Sequence, residues 1–377
     1  MIESNKILFL LHLPPPVHGS SIVGQKIMDS VLINSSFNTK YINLLISRKV
    51  EESGKTKLSK LFRFIVSWFK LLIVLVGNKP NLCYFALTTT GSGFYKDVSL
   101  VLLLKFFRVK IVFHLHNKGI KKNKSKGINN ALYKYVFKKS SVILLSNYLY
   151  DDVKTYVTSE QVHICPNGVE DLIKSNNSKS KLKIKSNRIK ILFLSNLIES
   201  KGVFVLIKAC KILQERGYDF LCDFVGGEGD VDAQQFKTEV EKAEIAERVQ
   251  YLGKKHGFEK NEAYKSADIF VLPTNNDCFP LVLLEAMQHS LPIISTIEGG
   301  IRDIVEDKVT GFLVDQNNPT ELADKLATLI DNEAMRLEMG SAGYAKYKKE
   351  FTLQAFESKL QGILEHILLK DIEKNNK

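Results

Sequence analysis

Apolar runs of four to eight residues, each followed by a polar break, recur along the whole chain. In the first half they are "KILFLLHL" (6–13), "LCYFAL" (82–87), "VKIVFHLH" (109–116) and "SVILLS" (141–146). Unbroken apolar runs of this length fit strands buried on both faces of a parallel sheet. Longer amphipathic stretches, 57–76 and 96–107, predict helices between them. After residue 170 the pattern lapses into "DLIKSNNSKSKLKIKSNR", a polar, low-complexity tract that predicts a linker. It then restarts with "IKILFLS" (189–195), "DFLCDFVG" (219–226), "VQYLG" (249–253), "DIFVLP" (268–273), "LPIIST" (291–296) and "GFLV" (311–314). Helical stretches separate these, 202–216 and 232–246 being the clearest. Alternating strand and helix predicts an α/β fold with two doubly wound, Rossmann-like parallel sheets facing a cleft. The expected boundaries are 1–170, a linker at 171–188, a second domain at 189–351, and a C-terminal helix at 352–377 packing back across the domains. Ligands of such sheets bind at the carboxyl ends of the strands.

The 377 residues are 45% hydrophobic and 25% charged, enough for two full cores and inconsistent with wholesale disorder. Five scattered cysteines without a C-x-x-C pair read as free thiols of a reducing cytoplasm. The start, "MIESNKILFLLHLPPP", has no basic n-region or A-x-A site, so no secretory signal is expected. The apolar segment 64–76 is broken by Lys70 and is too short to span a bilayer. The net charge of +12 is uneven: residues 1–190 hold 31 Lys+Arg against 10 Asp+Glu (+21), and the rest 22 against 31 (−9). That asymmetry suggests an anionic partner for the first half, although a lysine-rich solvated surface accounts for part of it.

One stretch carries the most chemistry: "NDCFPLVLLEAMQHSLPIISTIEGG", residues 276–300. Pro280 suits the first position of a helix, predicted over about 280–289. Glu285 falls in its second turn, and helical side chains tilt toward the N-terminus, so its carboxylate reaches back toward the helix start. Free N–H groups and the positive end of the dipole make that start a seat for phosphate. Asp277, in the preceding loop, adds a second carboxylate. Phosphate beside two hydroxyl-seeking carboxylates is what a nucleotide-sugar requires. On the plainer reading Asp277 is a helix cap and Glu285 a surface residue.

The D-x7-E spacing of Asp277 and Glu285, followed by "SLPIIST" and "EGGIRDIV", resembles the E-x7-E signature of retaining GT-B glycosyltransferases, specifically glycosyltransferase family 4. "FLSNLIESKGVFVLIKA" (193–209) resembles that family's G-R-L-x-x-x-K-G segment. "CPNGV", "FVGGEGD", "VQYLG", "SADIFVLP" and "GFLVDQNNPTELADKL" follow in the family's order, and "PPPVHGSS" (14–21) resembles its glycine-rich loop. Three positions depart: Asp277 stands for glutamate, Asn196 for an arginine that meets the donor phosphates, and Asp303 for a glutamate. The resemblance implies a metal-independent hexosyltransferase with no cofactor, using a UDP- or GDP-sugar as substrate. It assigns Glu285 to the donor ribose and Asp277 to the sugar hydroxyls. Backbone N–H groups around Phe279 and Leu281 hold sugar and phosphate; Pro280, between them, has none to donate. Asn196 occupies the phosphate-facing position. Lys201, with amides near Gly19 and Ser20, stabilises the departing diphosphate.

"VFHLHN" (112–117) resembles the family's strand ending in an active-site histidine. His116 is preferred to His114, since both point the same way and only His116 reaches the rim; the alternative is a strand-end histidine satisfied by backbone. "KTKLSKLFRFIVSWFKLLIVLVG" (55–77) reads equally as a membrane-interface helix and as a core helix with solvated lysines. "NKGIKKNKSKG" (117–127) adds a basic loop after His116, which suits a lipid-linked or oligosaccharide acceptor. The expected enzyme is cytoplasmic, peripheral on the inner membrane face, and builds a bacterial surface polysaccharide. A non-catalytic nucleic-acid- or membrane-binding protein is the alternative, but no nucleic-acid partner is expected because no recognition motif accompanies the charge. "HGSSIVG" lacks G-x-G-x-x-G, which argues against a dinucleotide enzyme.

Overall fold

The computed structural model describes residues 5–45, 58–125, 127–171 and 188–375, with backbone alone for 58–63 and 370–375. The expected linker, Lys126 and the side chains of Lys57, Lys60, Phe62 and Arg63 therefore lie outside the described residues. The chain divides into two compact units, Met1–Asn167 with Gln354–Lys377, and Gly168–Leu353.

In the first unit the strands are β1 (Lys6–Leu11), β2 (Asn38–Asn43), β3 (Leu82–Ala86), β4 (Lys110–Leu115), β5 (Ser141–Leu144) and β6 (Val162–Ile164). They form one parallel sheet in the order β2-β1-β3-β4-β5-β6. The apolar runs became the central strands, and β3 is buried at every position. The edges, "NTKYIN" and "VHI", had no apolar run to announce them, because an edge strand is half solvated. The helices used below are α1 (Gly19–Asp29), α2 (Leu58–Gly77), α3 (Gly91–Phe106) and α4 (Asn129–Phe137).

In the second unit β7 (Ile189–Leu194), β8 (Phe220–Val225), β9 (Val249–Tyr251), β10 (Ile269–Leu272), β11 (Ile293–Thr296) and β12 (Gly311–Val314) run parallel in the order β12-β11-β10-β7-β8-β9. Helices α5 (Val203–Glu215), α6 (Gly257–Ser266), α7 (Leu281–Gln288), α8 (Pro319–Asp331) and α9 (Glu333–Glu350) accompany them. The last helix, α10 (Leu353–Asn375), belongs to the first unit from Gln354 onward; it buries Phe356, Leu360, Leu364 and Ile367, and its Gln361 Nε2 donates to Ser36 Oγ at 3.0 Å within that unit. All five cysteines are buried, and none is in a disulfide.

Both sheets carry a switch in strand order, between β1 and β3 in the first and between β7 and β10 in the second. Connections leave the sheet in opposite directions at such a point, so the loops beyond the carboxyl ends of those strands diverge and leave a crevice. The loops beyond β7 and β10 hold Asn196, Lys201 and Asp277.

Candidate functional site

The loop after β7 ends in a short 3-10 turn, Glu199–Lys201, and Gly202 starts α5 in a left-handed conformation, φ +85°. A Cβ at Gly202 would lie 2.1 Å from the Pro273 carbonyl oxygen, so only glycine lets this turn press against the end of β10. The two loops are then joined: Asn275 N and Thr274 Oγ1 donate to Ser200 O at 2.7 and 3.0 Å. This seats Lys201 over the acid-bearing loop. Its Nζ lies 2.5 Å from Asp277 Oδ2 and 3.3 Å from the Asn276 carbonyl. The side chains are 22% and 18% exposed, so the pair is shielded yet reachable.

Asp277 is fixed from behind as well. Its amide donates to Glu298 Oε1 at 3.2 Å, while its own Oδ1 accepts from Cys278 N at 3.1 Å. Glu298 is buried, and its Oε2 accepts from Gln316 Nε2 at 2.9 Å. Gly299 follows at φ +50°, and a Cβ there would stand 2.4 Å from the Asp277 carbonyl. Sequence reasoning quoted "EGG" but gave Glu298 no role. Its position just beyond the carboxyl end of β11 was the available signal.

Helix α7 begins at Leu281, one residue later than expected, with Pro280 as the residue before it (φ −70°, ψ 117°). The difference follows from proline geometry: ψ is extended at Pro280, so it caps the helix rather than joining it. Among the described residues no side chain is seen to cap this first turn, where Leu283 N donates to Pro280 O at 3.2 Å. Phe279 is buried and packs edge-on against Phe351, with centroids 5.9 Å apart, so what it can offer a ligand is its backbone. Glu285 does lean toward the helix start. Tyr264 Oη donates to Glu285 Oε2 at 2.7 Å and lies 3.3 Å from Val282 O in the first turn. Burial, then the Glu285 charge, push the Tyr264 phenol well above its ordinary range, so it stays protonated and donates. Lys260 Nζ is 2.7 Å from Glu285 as well. Lys260 and Tyr264, one helical turn apart on α6, were both missed; the i, i+4 spacing in "KNEAY" was the clue. Each carboxylate of the D-x7-E pair thus has its own lysine. Asn196 is exposed and accepts from Gly227 N at 3.1 Å, which ties the loop after β7 to the loop after β8.

In the first unit, His116 is the first residue beyond β4, while His114 lies inside the strand and is fully buried. Their rings are 4.1 Å apart, confirming a shared side of the sheet. His114 Nδ1 meets Tyr84 Oη. Gly19 is the first residue of α1, and Ser20 Oγ sits 3.2 Å from His12 Nδ1 and 3.1 Å from His18 Nδ1. The tautomers follow from the chain of donors. Ser21 N donates to His18 Nδ1 at 3.3 Å, so that nitrogen is an acceptor. The Ser20 hydroxyl therefore donates to His18 and accepts from His12 Nδ1–H. Burial depresses all four histidines. His116 falls to about 4, through burial and then the neighbouring His18; His12 and His114 fall well below 6.5, and His18 below it. The cluster is neutral at pH 7 and acts through hydrogen bonds.

Of the adjacent acids Asp151 and Asp152, the second serves the backbone and the first pairs with lysine side chains. Asp152 accepts from the amides of Gly119, Ile120 and Lys121 at 2.9, 3.1 and 2.9 Å, and Asp151 pairs with Lys121 at 2.5 Å. These bonds anchor the start of the basic loop. Among the described residues no group of three or more His, Cys, Asp or Glu is arranged to hold a metal.

Residues 174–346 match the family model for glycosyl transferases group 1, a match that falls inside the second unit. The chain is 32% identical over 185 residues to the amylovoran biosynthesis glycosyltransferase AmsK of Erwinia amylovora, covering 48% of this chain and 45% of that one. It thus spans about half the length of that relative. Solved structures share the fold across 96–97% of the chain. Sucrose-phosphate synthase from Thermosynechococcus elongatus superposes with a TM-score of 0.76 at 17% identity, covering 97% of this chain and 100% of that one. Anabaena Alr3699/HepE in complex with UDP-glucose gives 0.72 at 17% identity, covering 96% and 99%. The two parallel-sheet units are those of the GT-B fold.

Proposed function

We propose that the protein is a retaining, metal-independent glycosyltransferase of family 4. It moves a sugar from a nucleotide-sugar, a UDP- or GDP-sugar, to a lipid-linked saccharide acceptor in the synthesis of a bacterial surface polysaccharide. The observation that carries this is the Lys201–Asp277 pair, held where β7 and β10 diverge and followed at once by the uncapped start of α7. The group 1 match covers the same unit, and AmsK is named an amylovoran biosynthesis glycosyltransferase.

In this reading the donor phosphates lie against the first-turn amides of α7 and the backbone at Phe279 and Leu281. Glu285 takes the ribose hydroxyls, with Tyr264 fixing its second oxygen. Asp277 accepts from the sugar hydroxyls. Lys201, already beside Asp277, balances the charge that grows on the diphosphate as the bond from the anomeric carbon to the phosphate oxygen breaks. Asn196 brings no charge, so Lys201 is the principal cation for that task. The acceptor hydroxyl oxygen bonds the anomeric carbon on the face the phosphate leaves, and its proton passes to the departing phosphate oxygen. No protein nucleophile is required. On the first unit, His116 receives the acceptor as a neutral hydrogen-bonding group, and the amides at Gly19 and Ser20 offer donors at the start of α1. The enzyme works at the cytoplasmic membrane face, attached peripherally.

The test is turnover of UDP-, GDP- and ADP-sugars by the purified chain with EDTA present, the product anomer being read by NMR. Release of nucleoside diphosphate with retained configuration is expected. No turnover of any sugar nucleotide, with binding to nucleic acid instead, would replace this reading with a binding protein.

A further inference from the structure

Helix α2 is apolar on two sides. Leu71 and Leu75 are buried, 0% and 2% exposed, whereas Ile65, Phe69, Ile73 and Val76 are 42%, 53%, 70% and 70% exposed. The spacing of 4, 4 and 3 residues aligns those four in one outward stripe. The neighbouring α3 adds Leu102 and Phe106, 49% and 81% exposed and four residues apart. Between the two helices runs an open groove of about 540 Å³ lined by Trp68, Leu102, Phe106, Lys105 and Tyr135 among others. A contiguous apolar surface of this kind needs a partner.

Charge selects the partner. Residues 58–77 and 129–137 contain no Asp or Glu, and the single acid of α3, Asp97, is fully buried against Thr88 N and Lys96. On these helices and in the residues just after α3 and α4, Lys70, Arg108, Lys134, Lys138 and Lys139 are exposed and supply a cationic rim in this reading. Lys105 lies across the Tyr135 ring, 5.0 Å from its centroid, and donates to the carbonyls of Tyr135 and Lys138 at 2.7 Å. A second copy of the chain would bring two cationic rims together. An anionic bilayer presents the opposite charge and takes up the aliphatic and aromatic stripe. No helix among the described residues is long and apolar enough to cross a membrane, so the contact would be interfacial.

We propose that the outward faces of α2 and α3, with the cationic rim ending on α4, form a docking surface for an anionic lipid bilayer. Ile65, Phe69, Ile73, Val76, Leu102 and Phe106 enter the headgroup–acyl boundary while the lysines meet lipid phosphates. This rests on the peripheral attachment proposed above and deepens it, naming the helical face that would make the contact.

Trp68 is the chain's one tryptophan and lies in this groove, so the wild-type protein reports on itself. With vesicles of phosphatidylcholine and phosphatidylglycerol at low salt, Trp68 emission should shift to the blue and be quenched by lipids brominated on the acyl chain. Pure phosphatidylcholine should give less than a tenth of the binding. Phe69→Ser with Phe106→Ser should lower vesicle affinity at least tenfold, and the single Phe106→Ser variant, 81% exposed and safe for folding, should lower it severalfold. Absence of quenching in wild type, equal binding by the variants, or a dimer in light scattering that Phe106→Ser dissociates would each overturn the assignment. Sugar-nucleotide turnover without vesicles, measured on the same samples, separates this from failure of the transferase reading, because the variants touch none of its residues.

Discussion

Lys260 Nζ lies 2.7 Å from both carboxylate oxygens of Glu285, which also accepts from Tyr264. The acid inside the apolar helix α7 is thus charge-balanced by α6 without any ligand. If its only purpose were to pair with Lys260, Glu285→Gln would leave donor binding unchanged. A ribose-binding role predicts otherwise. Glu285→Gln should raise the donor dissociation constant about tenfold, ~1.4 kcal/mol, while Lys260→Met should leave binding within a few-fold. Calorimetry on both variants checks this.

Lys201→Ala should cut turnover by about 10²–10³-fold, the usual effect of removing one fixed donor to a developing anion. Asp277→Asn should also slow the reaction. The two residues touch, so the double variant should fall well short of the product of the single effects. Single-turnover rates on the four proteins give the coupling; strict multiplicativity would show that the pair does not act as a unit.

Gly299→Ala probes the support rather than the site. A left-handed alanine costs about 1–2 kcal/mol, and the added carbon would collide with the Asp277 carbonyl, 2.4 Å away. Melting temperature should drop by several degrees, and turnover should fall further than this loss alone explains, because the Asp277 carboxylate moves. Unchanged turnover in the folded fraction would free Asp277 from its assigned place.

The histidines predict a pH response. In the folded chain His116 titrates at about 4, against 6.5 when solvated. Between those values the unfolded chain binds the extra proton, so folded stability is complete above pH 6.5 and declines as pH falls toward 4. Melting temperatures should therefore drop between pH 6.5 and 4.5, and less steeply in His116→Asn. A steeper drop in the variant would mean that His116 is not buried neutral. A neutral His116 also leaves no inflection of its own near pH 6.5 in kcat/KM.

The central strands were legible because parallel strands are apolar without interruption: "KILFLL" and "IFVL" need no context. The edges β2 and β6 were not, since half-solvated strands carry no such run. Within the site, Asp277, Glu285 and Lys201 could be read from local rules about helix starts and from the family resemblance. Their pairings could not: Lys260 lies 25 residues from Glu285, and Lys201 lies 76 from Asp277. Only the parallel topology brings such positions together. Burial was equally hidden, so the sequence showed four histidines near the ends of β1 and β4 but not that each is held neutral. The 55–77 segment read equally as core and as interface; among its described side chains Leu71 and Leu75 are buried while Ile65, Phe69, Ile73 and Val76 are exposed.

The most direct test of the donor site is a calorimetric titration of UDP-, GDP- and ADP-sugars into the full chain and into Glu285→Gln and Asp277→Asn. The account predicts that at least one sugar nucleotide binds the wild type, that both substitutions weaken it about tenfold or more, and that melting temperatures stay within a few degrees. Undiminished binding in both folded variants, or no binding of any sugar nucleotide to the wild type, would contradict it.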